Sequence, residues 1–206
     1  MIRLGNLAVR FWRARELERF VDVEEQLRSP VAPEPPYWMH LWPGAVALAR
    51  KVAATPGLGN GSRVLEFGCG LGLPALTAAA RGARVVASDW RRQPLHFLRF
   101  SAARNRLSLA VVQMDWGAPA VQGGFDVCLG AEVAYDTAAE AAVIRGLRAW
   151  VRPGGFAWLA DSVNTQRLSL VAALRRDGFA VTLSELREYE EERPVWVRLI
   201  EARRPS

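Results

Sequence analysis

The stretch Val64-Leu65-Glu66-Phe67-Gly68-Cys69-Gly70-Leu71-Gly72-Leu73-Pro74 leaves this chain few ways to fold. It reads as a strand, a glycine-rich turn and a helix. Val64, Leu65 and Phe67 supply an apolar, β-favouring run. Gly68, Gly70 and Gly72 allow a sharp turn and let the backbone approach a ligand with no Cβ in the way. Pro74 suits the first turn of a helix, Ala75 to Ala80 continues it, and Gly82 is a plausible stop. A turn of this kind, at the carboxyl end of a parallel strand, is where open α/β sheets bind nucleotide-like ligands. A tight turn without a ligand is the plainer alternative. It leaves three alternating glycines behind an acid in an apolar run unexplained, because a buried carboxylate needs partners.

Spacing decides among ligands. A dinucleotide fingerprint, G-x-G-x-x-G, counted from Gly68, requires a third glycine where Leu73 stands. The pattern present is Glu66-x-Gly68-x-Gly70-x-Gly72. It resembles motif I of the seven-strand S-adenosylmethionine-dependent methyltransferases. In that family the glycines pass the methionine part of the cofactor, and the acid two residues before the first glycine helps organise its amino group. A cationic sulfonium cofactor also needs no pyrophosphate cradle.

At 206 residues the chain is most simply one α/β domain, with 1–35 as an N-terminal extension or lid and 36–206 as the core. Half the residues are hydrophobic, which excludes a disordered chain. No apolar run reaches the length of a membrane span, and the N-terminus lacks the apolar core of a signal peptide. Cys69 and Cys128, the two cysteines, read as small buried residues and not as a disulfide or metal pair. A soluble, cytoplasmic monomer without a metal is expected. The net charge of +6 raises a nucleic-acid partner, but Lys51 is the only lysine and the arginines are scattered, as a compositional bias toward arginine would leave them.

Residues 2–22 alternate weakly and read equally as a hairpin or a short helix. Glu24 to Pro36, with Pro30, Pro33, Pro35 and Pro36, is an extended connector that serves as a lid or as plain linker. Pro36-Tyr37-Trp38-Met39-His40-Leu41-Trp42-Pro43-Gly44 follows, and Ala45 to Ala54 is a helix with one apolar stripe. Tyr37 and Trp38 either face a ligand or plug the open edge of the core; Trp42 is read as a ligand contact. Pro-Tyr-Trp, then Trp-Pro-Gly, a helix and motif I together resemble the protein-lysine methyltransferase branch called methyltransferase family 16. Within it the likeness is to the group of electron-transfer-flavoprotein β-subunit lysine methyltransferases and their bacterial relatives, over roughly residues 36 to 161.

Gly82 to Trp90 is a second strand and its end. Asp89 stands about twenty residues past the glycine turn, where a carboxylate accepts from ribose hydroxyls; capping the next helix is compatible with that. Pro94 to Asn105 is an amphipathic helix whose His96 has no metal-binding company. Ala110 to Met114 is the third strand. The resemblance implies that Asp115 meets the adenine amino group and that Trp116 packs beside the ring; a turn Asp and a core Trp are the plain alternatives. Phe125 to Ala131 is the fourth strand, and Glu132-x-x-Tyr135 beyond it matches the family's Asp/Glu-x-x-Tyr/Phe motif, which borders cofactor and substrate lysine. A carboxylate there raises the pKa of an amine, so Glu132 orients the substrate more plausibly than it deprotonates it. A helix N-terminal Glu with a packing Tyr is the plain reading.

Ala138 to Val151 is a helix, Pro153-Gly154-Gly155 a turn, and Phe156 to Ala160 the fifth strand, with Asp161 and Ser162 at its end. Leu168 to Arg176 is a helix. Phe179 to Leu183 and Val195 to Glu201 form a closing antiparallel pair joined by a solvated loop over 189–193. The expected architecture is a doubly wound, Rossmann-like α/β sheet of about seven strands, mostly parallel. The expected cofactor is S-adenosylmethionine, lined by Trp42, Glu66, Gly68, Cys69, Gly70, Gly72, Asp89, Trp90, Asp115, Trp116 and Ala131, with Glu132 and Tyr135 as the catalytic pair. Direct methyl transfer to a lysine on a protein comes first. A small-molecule N- or O-methyltransferase is second. A nucleic acid ranks third, for want of an Asn-Pro-Pro-Tyr-type motif, and a non-catalytic cofactor-binding scaffold is the reading from another class.

Overall fold

The computed structural model describes residues 1–13, 36–118, 120–162 and 168–206. In chain order the elements are β1 (Ile2–Leu4), β2 (Leu7–Val9), a 3₁₀ turn (Tyr37–Met39), α1 (Pro43–Ala54), β3 (Arg63–Phe67), α2 (Leu73–Ala80), β4 (Arg84–Asp89) and α3 (Arg92–Arg104). Then come β5 (Ala110–Gln113), β6 (Phe125–Ala131), α4 (Thr137–Trp150), β7 (Val151–Ser162), α5 (Leu168–Arg176), β8 (Ala180–Glu190) and β9 (Arg193–Arg203).

Seven strands form one sheet in the order β5-β4-β3-β6-β7-β9-β8. The five strands from β5 to β7 run parallel, and β9 pairs antiparallel with both β7 and β8. This is the doubly wound, mostly parallel sheet expected. Val64, Leu65, Glu66 and Phe67 of the central β3 are all buried, as a strand covered on both faces requires. Val64 packs with Leu48, Leu76 and Leu98 on the α1–α3 side. Leu65 and Phe67 pack with Leu147, Trp150 and Leu174 on the α4–α5 side. The chain order reverses between β4 and β6, on either side of β3, which puts the sheet's switch point at the carboxyl end of β3.

Three local expectations are settled or corrected. Of the stretch 2–22, residues 2–9 form a hairpin, and residues 14–22 lie outside the described residues: β1 and β2 pair through a two-residue turn at Gly5 (φ 63°), burying Leu4 and Val9 in the core. Asn105 Oδ1 and Ser101 Oγ accept from the backbone N–H groups of Arg10 and Trp12, tying the hairpin's exit to α3. Pro153-Gly154-Gly155 is not a turn ahead of a short strand. It is an irregularity inside β7, where the pairing jumps from Phe125–Val151 to Val127–Phe156. The 189–193 loop is likewise absent as a loop: β8 and β9 pair as far as Glu190–Arg193 and leave only Glu191 and Glu192 to turn. The proline-rich connector, apart from Pro36, lies outside the described residues.

Glu191 and Glu192 have φ of 46° and 70°. A two-residue hairpin turn with both centres left-handed favours Asn-Gly, and two glutamates there carry backbone strain. Replacing Glu191 by Asn together with Glu192 by Gly should raise the free energy of unfolding by about 1 kcal/mol, read as a higher urea midpoint with an unchanged slope.

Candidate active site

The carboxyl ends of β3, β4 and β6, the start of α1 and the stretch 37–42 enclose a cavity of about 490 Å³, within the range of small-molecule sites. Its floor is the glycine turn, with Gly68, Gly70 and Gly72 all left-handed at φ 61°, 48° and 70°. The glycines do more than clear a path for a ligand. A Cβ on Gly68 would stand 2.7 Å from the Trp116 ring, and one on Gly72 would stand 2.6 Å from Leu98. Both positions therefore need glycine for conformation and for packing against the protein itself.

Two buried carboxylates hold this turn. Glu66, 1% exposed, accepts from Ala75 N–H at 2.7 Å and so supplies the cap that Gly72 cannot give to α2. Asp89 accepts from Gly70 N–H with one oxygen and from Arg91 N–H with the other, each at 2.9 Å, joining the turn to the start of α3. Burial pushes the Glu66 pKa up to about 8; the Ala75 N–H opposes this and the neighbouring Asp89 adds to it. Burial raises Asp89 too, against the Arg91 and Gly70 N–H groups. Burial also holds the Cys69 thiol, on the cavity wall, well above its usual range. Cys69 and Cys128 are both buried and free.

Opposite the turn, Trp116 stands edge-on to Phe67 at 6.1 Å and tilted toward Tyr135 at 6.3 Å between ring centroids. Trp90 carries the Arg91 guanidinium 4.0 Å from its ring centre. Glu132 follows β6 in a left-handed conformation, φ 53°, costly for a residue with a side chain. Its Oε1 accepts from Ser162 N–H at 2.9 Å and from Ser162 Oγ–H at 2.8 Å, and its own N–H donates to Ala160 O. A Cβ on Gly44 would lie 3.1 Å from that same oxygen. The sequence Trp42-Pro43-Gly44 thus has a physical reading: Trp42 lines the cavity, Pro43 opens α1, and Gly44 leaves room for the Glu132 carboxylate at a helix end that favours negative charge.

Of the residues singled out in the sequence, Trp42, Glu66, Gly68, Cys69, Gly70, Gly72, Asp89, Trp90, Trp116, Ala131, Glu132 and Tyr135 line this one cavity. Asp115 does not. It is exposed, and its Oδ1 accepts from Gly117 N–H at 2.8 Å, a turn that directs Trp116 and not Asp115 inward. Sequence reasoning gave no site role to Arg91 and His40, which also line the wall; Asp161 and Ser162, read as lying on the site face at the end of the fifth strand, are found there, Asp161 on the wall and Ser162 holding Glu132. His96 is exposed on α3. Among the described residues no group of three or more His, Cys, Asp or Glu is placed to hold a metal ion, and no helix is long and apolar enough to cross a membrane.

Residues 64–155 match the family profile of the methyltransferase domain. Over that stretch, somewhat under half of the chain, the sequence is similar to a methyltransferase domain. The chain's fold is shared with solved methyltransferase structures. The electron transfer flavoprotein β-subunit lysine methyltransferase of Danio rerio is 32% identical over 118 residues, which are 57% of this chain and 44% of that protein. A histone-arginine methyltransferase of Xenopus laevis is 32% identical over 134 residues, 60% of this chain and 57% of its own. The ubiquinone biosynthesis O-methyltransferase of Aeromonas salmonicida is 34% identical over 97 residues, 46% of this chain and 41% of its own. The chain therefore spans about half the length of the curated relatives it matches. Among solved structures, magnesium protoporphyrin IX methyltransferase of Synechocystis PCC 6803, with S-adenosylmethionine bound, superposes with a TM-score of 0.64 at 19% identity, covering 78% of this chain and 77% of its own.

The cavity fits S-adenosylmethionine, which is bound in one of the solved structures of this fold. Its floor is pinned by two buried acids whose charge a cationic ligand would stabilise, and its wall offers indole faces to a base. Asp89→Ala should weaken binding of S-adenosylhomocysteine by about 1–3 kcal/mol, in calorimetric titration, through lost polar partners and a loosened turn. Glu66 predicts a pH effect of definite sign. Its folded pKa of about 8 lies above the ordinary 4.5, so its contribution is most favourable below 4.5 and is lost as pH rises toward 8. Glu66→Gln should remove that dependence. Measured without cofactor, the variant should gain on the parent between pH 5 and 8 by an amount on the order of a few kcal/mol.

Proposed function

We propose that this chain is an S-adenosylmethionine-dependent methyltransferase that acts on a lysine amine of a protein by direct in-line displacement. The observation that carries this reading is the placement of Glu132 and Tyr135 in the same cavity as the glycine turn. The Glu132 carboxylate is held there by Ser162 despite a strained backbone. A fixed carboxylate beside aromatic walls suits an amine that arrives as an ammonium.

When bound, the cofactor supplies an electrophilic methyl on a cationic sulfur. Asp89 would hold the ribose hydroxyls, Trp116 and Trp90 would flank the base, and Gly70 with Glu66 would face the amino-acid end. Glu132 would orient the amine. It does not serve as the base, because a nearby carboxylate favours the protonated amine. The acceptor proton leaves to solvent before the nitrogen lone pair is used. Trp42, Trp116 and Tyr135 keep water from the transfer path, so the rate arises chiefly from proximity and orientation. The similarity to the flavoprotein-subunit lysine methyltransferase supports the acceptor. Two buried, free thiols agree with action in a reducing compartment, which we take to be the cytoplasm.

A second reading, a small-molecule O- or N-methyltransferase, draws on the similarity to the ubiquinone biosynthesis enzyme. Tritiated-methyl transfer from S-adenosylmethionine into cell lysate separates the two. The proposal expects label in protein, recovered as methyl-lysine after acid hydrolysis. Label in methyl-arginine or in the low-mass fraction would overturn the acceptor assignment. Glu132→Gln, which keeps an acceptor for Ser162 but no charge, should bind S-adenosylhomocysteine about as well as the parent and lose about 100-fold in turnover.

A further inference from the structure

The stretch Tyr37–Trp42 crosses the cavity wall as a strap, and its fastenings are specific. Trp38 packs against Phe97 of α3 with ring centroids 5.5 Å apart, and Met39 is buried. Trp38 O would lie 3.4 Å from a Cβ placed on Gly70, so the strap rests against the glycine turn. Trp42 Nε1–H donates to Tyr37 O at 3.0 Å and closes the strap on itself. His40 stands edge-on to the Trp42 ring at 4.8 Å, and its Nε2 meets Glu190 Oε1 at 2.8 Å. Glu190 belongs to the last pair of β8 and β9 before their turn, 150 residues further along the chain. Tyr37, Trp38, His40 and Trp42 all line the cavity.

We propose that Glu190 is a positioning residue for the cofactor site: through His40 it holds the Tyr37–Trp42 strap against the cavity, and the strap sets how fast bound cofactor leaves. The pair is a poor candidate for a global staple. Its side chains are 32% and 37% exposed, and pairs of that exposure add little to overall stability. Its effect falls instead on a short segment, where the loss of one fastening shifts the local opening equilibrium.

The test is the dissociation rate of S-adenosylhomocysteine, followed by stopped-flow tryptophan fluorescence on the full chain. Glu190→Ala and His40→Ala should each speed release about fivefold. The double variant should be no faster than either single one, because the two side chains act as a unit. Glu190→Gln, which retains an acceptor for the imidazole, should recover part of the loss. Glu201→Gln breaks the Lys51–Glu201 ion pair further down β9 and should leave the release rate unchanged. The urea midpoint should stay that of the parent throughout. Unchanged release in both single variants, or a double variant as fast as the product of the two, would overturn the positioning role. Failure of the parent chain to bind S-adenosylhomocysteine would overturn the cofactor reading and the positioning role with it.

Discussion

The rest of the site depends on two carboxylates that hold one turn. Glu66 comes from β3 and Asp89 from the neighbouring β4; one reaches the first turn of α2, the other reaches Gly70 and the start of α3. A glycine turn alone is flexible, and ordering it costs more than ordering any other residue type. Here the ordering is enforced from two adjacent parallel strands. The cost is two acids in a medium that disfavours their charge, as the upward shift of both shows. That cost falls on the unliganded protein. A cationic ligand at the turn lowers it, so the same groups that shape the floor also bias the cavity toward positive charge.

Much of this was legible in the sequence because it is written at strand ends. The glycine turn, Asp89 and Glu132 each stand at the end of a run whose apolar pattern marks a buried strand, Trp116 follows the short apolar run of the edge strand β5, and a doubly wound sheet collects such ends on one side. Asp115 shows where that logic stops. It and Trp116 are neighbours, and only one of them can face the cavity. The choice is made by the turn, in which Asp115 accepts from Gly117 N–H, and nothing in the strand pattern encodes it.

The contacts of Ser162, His40 and Glu190 were illegible for a different reason. Ser162 meets Glu132 across 30 residues, and Glu190 meets His40 across 150. Each contact depends on register. The first requires the irregularity at Pro153–Gly155 that fixes how far β7 extends past β6, and the second requires β8 and β9 to pair to their last residue. A stretch of charged residues between two alternating runs reads as a solvated loop. What overrides the reading is that the two strands stay in register through it, with the turn confined to two glutamates.

The segment Trp42-Pro43-Gly44 and the left-handed Glu132 form one device when considered together. Glu132 departs from ordinary backbone geometry directly after β6, and two Ser162 donors take up its carboxylate. That carboxylate occupies the space a side chain at position 44 would need, with Ala160 O only 2.9 Å from the same missing Cβ. Pro43 at the head of α1 fixes where the helix begins, and so where the gap falls. The strain at Glu132 is therefore maintained by three elements at once, α1, β6 and β7. A carboxylate over-determined in this way is held in place by the protein's own contacts, and pre-organisation of that kind would serve the displacement reaction proposed above.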